Sequence, residues 1–140
     1  MKKLKLIVAS ALLSSTAVYA ECPDNEATNC GITISGNQTI DIDSSIDVED
    51  VRGINITSSS NTLTIDGDIT VNSSGNSDFG LNIDRGGNNN VINMTGDIST
   101  ISTDSATGMH GIRIGPNSSS NTINVTGNVS TTGGNSSGIL

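Results

Sequence analysis

Two pairs of carboxylates are the first candidates for chemistry. Asp41 and Asp43 stand two residues apart in "IDIDSSIDVED" (residues 40–50). On a strand both would leave one face, with Ile40 and Ile42 on the other. Paired carboxylates at that spacing could supply oxygen ligands to Ca²⁺. They equally suit the solvated outer face of a half-buried strand, which needs no ion. Asp66 and Asp68 in "DGD" repeat the arrangement. The single histidine, His110, lies in "GMHG" at the end of the longest insertion and reads as an exposed loop residue, not a catalytic base. Arg52, Arg85 and Arg113 fall in separate segments, and Phe79 stands alone, so no column of them is expected. No catalytic, cofactor-binding or metal-ligating residue is assigned, and the chain is read as a non-enzyme.

The segments that would have to position these groups begin after a leader. Lys2, Lys3 and Lys5 precede an apolar run, Leu6 to Leu13, and small residues lead to "VYA" before Glu21. That order of charge, apolar stretch and cleavage site is a secretory signal peptide over residues 1–20, expected as a helix cleaved after Ala20 and engaging the Sec export machinery. The apolar run falls short of the roughly 20 residues that span a bilayer. Export makes a disulfide the natural state of the two cysteines, Cys22 and Cys30, closing a loop over residues 21–30.

Without the leader, three arginines face fourteen acidic residues, a net charge of 3 − 14 = −11, and Phe79 is the sole aromatic. Phosphate backbones are repelled and bases find nothing to stack on, which excludes nucleic acid as a partner. With one aromatic, a core must be built from Ile, Val and Leu.

The order of residues supplies that core. Gly53, Gly80, Gly111 and Gly138 each open a "G-aliphatic-x-aliphatic" element, at intervals of 27, 31 and 27 residues, and Gly31 opens a divergent earlier copy. After each of the first three come an aligned asparagine (Asn61, Asn90, Asn121), alternating aliphatics, and an aligned glycine (Gly67, Gly96, Gly127). Each unit reads as strand, polar turn, strand, glycine bend, strand, turn, with period-two alternation throughout. One such unit cannot bury its apolar face alone. Stacking units places equivalent aliphatics in columns and pairs each strand with its counterpart. The expected fold is therefore all-β, a parallel β-helix (β-solenoid) over residues 31–140, with about three complete coils plus partial ones. The aligned asparagines are expected in left-handed turns, their amides bonding stacked copies, and the glycines where the chain bends. The last repeat stops mid-strand at Leu140 with its edge open to self-association, as in a fragment of a longer product or a truncated remnant.

The signal peptide, the cysteine loop and the "GIxI…N-T-I-x-V-x-G-[DN]-[IV]-[ST]" units together resemble the start of an autotransporter passenger, the type V secretion class of Gram-negative bacteria. The resemblance spans Gly31 to Leu140, through motifs that other β-solenoids share. It implies a right-handed β-helix delivered through a C-terminal β-barrel to the outer membrane and cell surface, acting in adhesion toward host-cell or surface ligands. No run of barrel strands follows the repeats here, and without one the product would reach the periplasm or be secreted. The alternative from another class is a piece of a carbohydrate-active β-helix enzyme.

Overall fold

The computed structural model describes residues 6–9, 17–21, 31–75, 77–103 and 107–140. Two short strands, β1 (Leu6–Ala9) and β2 (Ala17–Glu21), precede thirteen that wind into a stack. These are β3 (Gly31–Ser35), β4 (Thr39–Ile42) and β5 (Ile46–Glu49) in the first coil, and β6 (Ile54–Ile56), β7 (Thr62–Asp66) and β8 (Ile69–Ser73) in the second. The third holds β9 (Phe79–Ile83), β10 (Val91–Thr95) and β11 (Ile98–Ser102); the fourth holds β12 (His110–Ile114), β13 (Thr122–Thr126) and β14 (Val129–Thr132). β15 (Ser137–Ile139) begins a fifth.

Every strand from β3 onward pairs in parallel with its counterpart one coil away, giving three sheets: β3-β6-β9-β12-β15, β4-β7-β10-β13 and β5-β8-β11-β14. This is a parallel β-helix. The segment that diverges in sequence is a full coil, so the described stack holds four complete coils where about three are expected. It is hard to see in sequence because it is short, 22 residues from Gly31 to Gly53, and carries Gln38 and Ser44 where later coils carry Asn and Gly.

Register explains the composition. Ile40, Leu63, Ile92 and Ile123 form one column, and Ile46, Ile69, Ile98 and Val129 another. Ile32, Ile54, Leu81, Ile112 and Ile139 form a third. Columns of similar aliphatics interlock at the roughly 4.8 Å spacing of paired strands. In the inner coils these side chains are fully buried, each contributing about 1.5–3 kcal/mol relative to exposure. Their outward neighbours are Thr, Asn, Asp and Ser, as in the alternating burial of β4 and β7. At the C-terminal end the lumen opens into an apolar cavity of about 480 Å³ lined by Ile112, Ile114, Ile123, Val125, Val129 and Ile139.

Two glycine columns permit this closeness. A Cβ on Gly96 would overlap the carbonyl oxygen of Gly67, and one on Gly127 that of Gly96. Both glycines also hold positive φ, 140° and 153°, which side-chain-bearing residues rarely adopt. The glycines that open each unit have a different reason: a Cβ on Gly80 would meet the Gly111 carbonyl oxygen at 2.7 Å and overlap Ile98.

Within the leader span, β1 pairs antiparallel with β4 and β2 with β3. The described part of that span is thus strand where a helix is expected. The first coil offers a row of unpaired backbone groups that extended segments of the same chain satisfy. Cys22 and Cys30 lie outside the described residues. No helix among the described residues is long and apolar enough to cross a membrane.

Candidate functional site

The polar columns divide into those that hold the stack and one that does not repeat. Asn61 and Asn90 are buried at the corner before β7 and β10. Asn90 Oδ1 accepts the backbone N–H of Asn61 at 2.9 Å and its amide at 2.8 Å; Asn121 Oδ1 does the same for Asn90 at 2.9 and 3.1 Å. In the first coil, the Gln38 N–H donates to Asn61 Oδ1 at 3.0 Å. The left-handed residues at this corner are not the ladder asparagines but those just before them, Ser60, Asn89 and Ser120, with φ of 62°, 56° and 55°. The ladder asparagines instead aim their amides along the stack.

Asp68, of the second carboxylate pair, is likewise tied to the backbone. Asp68 Oδ1 accepts the N–H of Asp97 at 2.8 Å, and Asp97 Oδ1 accepts the N–H of Asn128 at 2.7 Å. Asp41 and Asp43 are exposed on the outer side of β4, with Ile40 and Ile42 buried behind them. Asp50, at φ 56°, accepts the N–H and hydroxyl of Ser74. These bonds, the backbone one first, hold its carboxyl below the usual range. Among the described residues no three His, Cys, Asp or Glu side chains are grouped as a metal site would require.

The column that breaks the repeat consists of the residues immediately before the unit-opening glycines: Arg52, Phe79, His110 and Ser137. His110 begins β12 and pairs in register with Phe79, which begins β9. Their rings stack, centroids 5.7 Å apart at an interplanar angle of 14°. The Arg52 guanidinium lies 5.3 Å from the Phe79 centroid. Arg113 belongs to a neighbouring column with Thr33, Asn55 and Asn82. It lies between the lumen-lining Ile112 and Ile114 and so faces outward. Its guanidinium reaches back over Phe79 at 5.1 Å and donates to Asn82 Oδ1 at 3.0 Å; Asn82 in turn donates to Asn55 Oδ1 at 2.6 Å.

Two expectations are overturned here. His110 is no exposed loop residue: it is 8% exposed and packed in a strand. The arginines and Phe79, scattered in sequence, converge on the outer face of one sheet. Only Arg85 stands apart, exposed in the turn after β9. The signal was present in the aligned units "RGINI", "FGLNI" and "HGIRI", in the position before each glycine. It was hidden because the three residue types differ, and a search for repetition discards what does not repeat.

The chemistry of the cluster follows from its parts. A guanidinium over an aromatic face gains about 0.5–2 kcal/mol, depending on desolvation. It keeps its in-plane N–H groups free to bond elsewhere. Both arginines are half-buried. Burial first, and then the Arg113 charge, push the His110 pKa below the ordinary histidine value. Its Nδ1 accepts the Ser137 N–H at 3.1 Å, so the neutral ring carries its proton on Nε2. The assembly sets Arg52, His110 and Arg113 around the Phe79 ring on the outer face of one sheet. No protein-family model, curated protein or solved structure matches this chain.

Proposed function

We propose that the chain is an exported, non-catalytic structural and adhesive segment of the autotransporter-passenger kind, a rod that presents polar faces and turns to host-cell or surface ligands. The observation that carries this reading is the contrast between its columns. Many polar side chains in register, such as Asn90 and Asp97, bond the adjacent coil and so serve the stack itself. The column of Arg52, Phe79 and His110, with Arg113 beside it, is instead chemically non-repeating and sets two guanidiniums against one aromatic ring. A scaffold that repeats everywhere except at one chemically distinct patch suits a binding rod. The leader and the acidic, aromatic-poor composition fit an exported product.

Expression with the leader intact tests both halves. The mature protein is expected in the periplasmic or external fraction, starting at Glu21. Beads coated with it should adhere to cells or matrix above albumin-coated beads. Retention of the full-length chain in the cytoplasm, or adhesion no better than albumin, defeats the reading.

A further inference from the structure

We propose that the outer face of the β4-β7-β10-β13 sheet binds ice. This function goes beyond the adhesive reading and does not depend on it, since it belongs to another face of the stack. Register lays the outward residues of this sheet in columns. Thr39, Thr62, Val91 and Thr122 form one; Thr64, Asn93 and Asn124 form a second; Asp66, Thr95 and Thr126 form a third. All are exposed except Val91, which is half-buried. The other two sheets differ. On the first, the outward Thr33, Asn55 and Asn82 are buried; on the third, the outward Thr70, Asn72 and Ser99 are half-buried.

The columns hold hydroxyl and methyl groups at the spacing of paired strands, about 4.8 Å. In ice, two O–H···O bonds of about 2.75 Å meeting at the tetrahedral angle put second-neighbour oxygens about 4.5 Å apart. Threonine hydroxyls, each both donor and acceptor, can therefore meet successive waters of an ice row with little adjustment. Across the columns, alternate residues of a strand lie about 6.6 Å apart, so the match runs along the stack. The array is also stiff. Thr39, Thr62, Val91 and Thr122 are all β-branched, which restricts χ1. The Asn124 amide donates to Asn93 Oδ1 at 2.9 Å and ties two coils of the middle column. A side-chain ladder of that kind favours a flat sheet, and a stiff array gives up little entropy on binding.

Composition selects the occupant. In the second to fourth coils, eight of the nine outward positions on this face are uncharged, Asp66 being the exception. A charge would orient water around itself and interrupt a lattice. None of the nine is aromatic, arginine or methionine. The face thus lacks both a platform for sugar rings and the anchors that dominate protein interfaces.

The test is the growth of ice grains in a frozen sucrose film containing the purified full chain, with albumin as the comparison. The chain should suppress grain growth where albumin does not. Thr95→Lys and Thr122→Lys, at exposed positions of the face, should each raise the concentration needed by about fivefold or more. Their unfolding midpoints in urea should be unchanged. Ser130→Lys, exposed on β14 of another sheet, should alter neither quantity. Partition needs no variant: ice grown slowly from solution should take up the unaltered chain and leave albumin in the liquid. Grain growth equal to that with albumin, exclusion of the chain from ice, undiminished suppression by both face variants, or an equal loss in Ser130→Lys would overturn the proposal. So would retention on powdered cellulose or chitin together with exclusion from ice, which would assign the face to a polysaccharide.

Discussion

Asn90 Oδ1 accepts two hydrogen bonds from Asn61, one from its backbone N–H at 2.9 Å and one from its side-chain amide at 2.8 Å. One oxygen thereby joins two coils at a buried corner, where water cannot substitute for it. Asn90→Ala strands the Asn61 N–H in the interior and leaves its amide with Ser58 Oγ alone, and should cost about 2–4 kcal/mol, since an unsatisfied buried polar group costs about 1–3 kcal/mol. On the outer face Asn93 accepts one bond from Asn124 at 2.9 Å in the same stacked manner, but in solvent. Asn93→Ala should stay within about 0.5 kcal/mol. Urea unfolding of the two variants decides it, and equal midpoints would show that the inner ladder is not what holds the corner.

Glycines separate in the same way. Gly86 and Gly96 both hold positive φ, 77° and 140°. Around Gly86 a Cβ meets nothing within 4 Å, whereas at Gly96 it overlaps the Gly67 carbonyl. Gly86→Ala should cost about 1–2 kcal/mol from the backbone alone. Gly96→Ala should cost about 3 kcal/mol or more, because the coils must also move apart. A stability difference of less than about 0.5 kcal/mol between them would remove close stacking as the reason for the column.

His110 makes stability depend on pH. Its folded pKa lies below that of the unfolded chain, chiefly through burial and then through Arg113. The unfolded state therefore binds more protons below the ordinary histidine value of about 6.5. Its contribution is complete above that value and is lost as pH falls through the folded value. Protonation also ends acceptance of the Ser137 N–H at Nδ1 and places a positive charge near that of Arg113. Unfolding midpoints should fall between pH 7.5 and 5.5, and His110→Gln should flatten that slope. The Asp50 carboxyl, held below the usual carboxylate range by its bonds to Ser74, titrates below this window and does not confuse it. A wild-type midpoint that rises toward pH 5.5 would contradict the assignment.

Stacking is the reason so much of the fold is legible in one sequence. A coil can lie on its neighbour only if aliphatics meet aliphatics, glycine meets carbonyl and asparagine meets asparagine, so structural residues must recur at matching offsets. Leu63, Ile92 and Ile123 announce a column without any coordinates, and so do Gly67, Gly96 and Gly127. The first coil escapes because Gln38 and Ser44 stand where later coils carry Asn and Gly, and there the bond to Asn61 comes from the Gln38 backbone N–H.

Sequence by itself thus determined the repeat, the buried faces and the strand-forming period, because each is a local pattern that the stack must reuse. Only the tertiary structure decided that Arg52, Phe79, His110 and Arg113 share one site. They differ in type, and the intervals between them vary with the length of the intervening turns. Winding the chain turns separations of 27 and 31 residues into one strand spacing. What brings these four together is the pitch of the coil, not any likeness among the residues themselves.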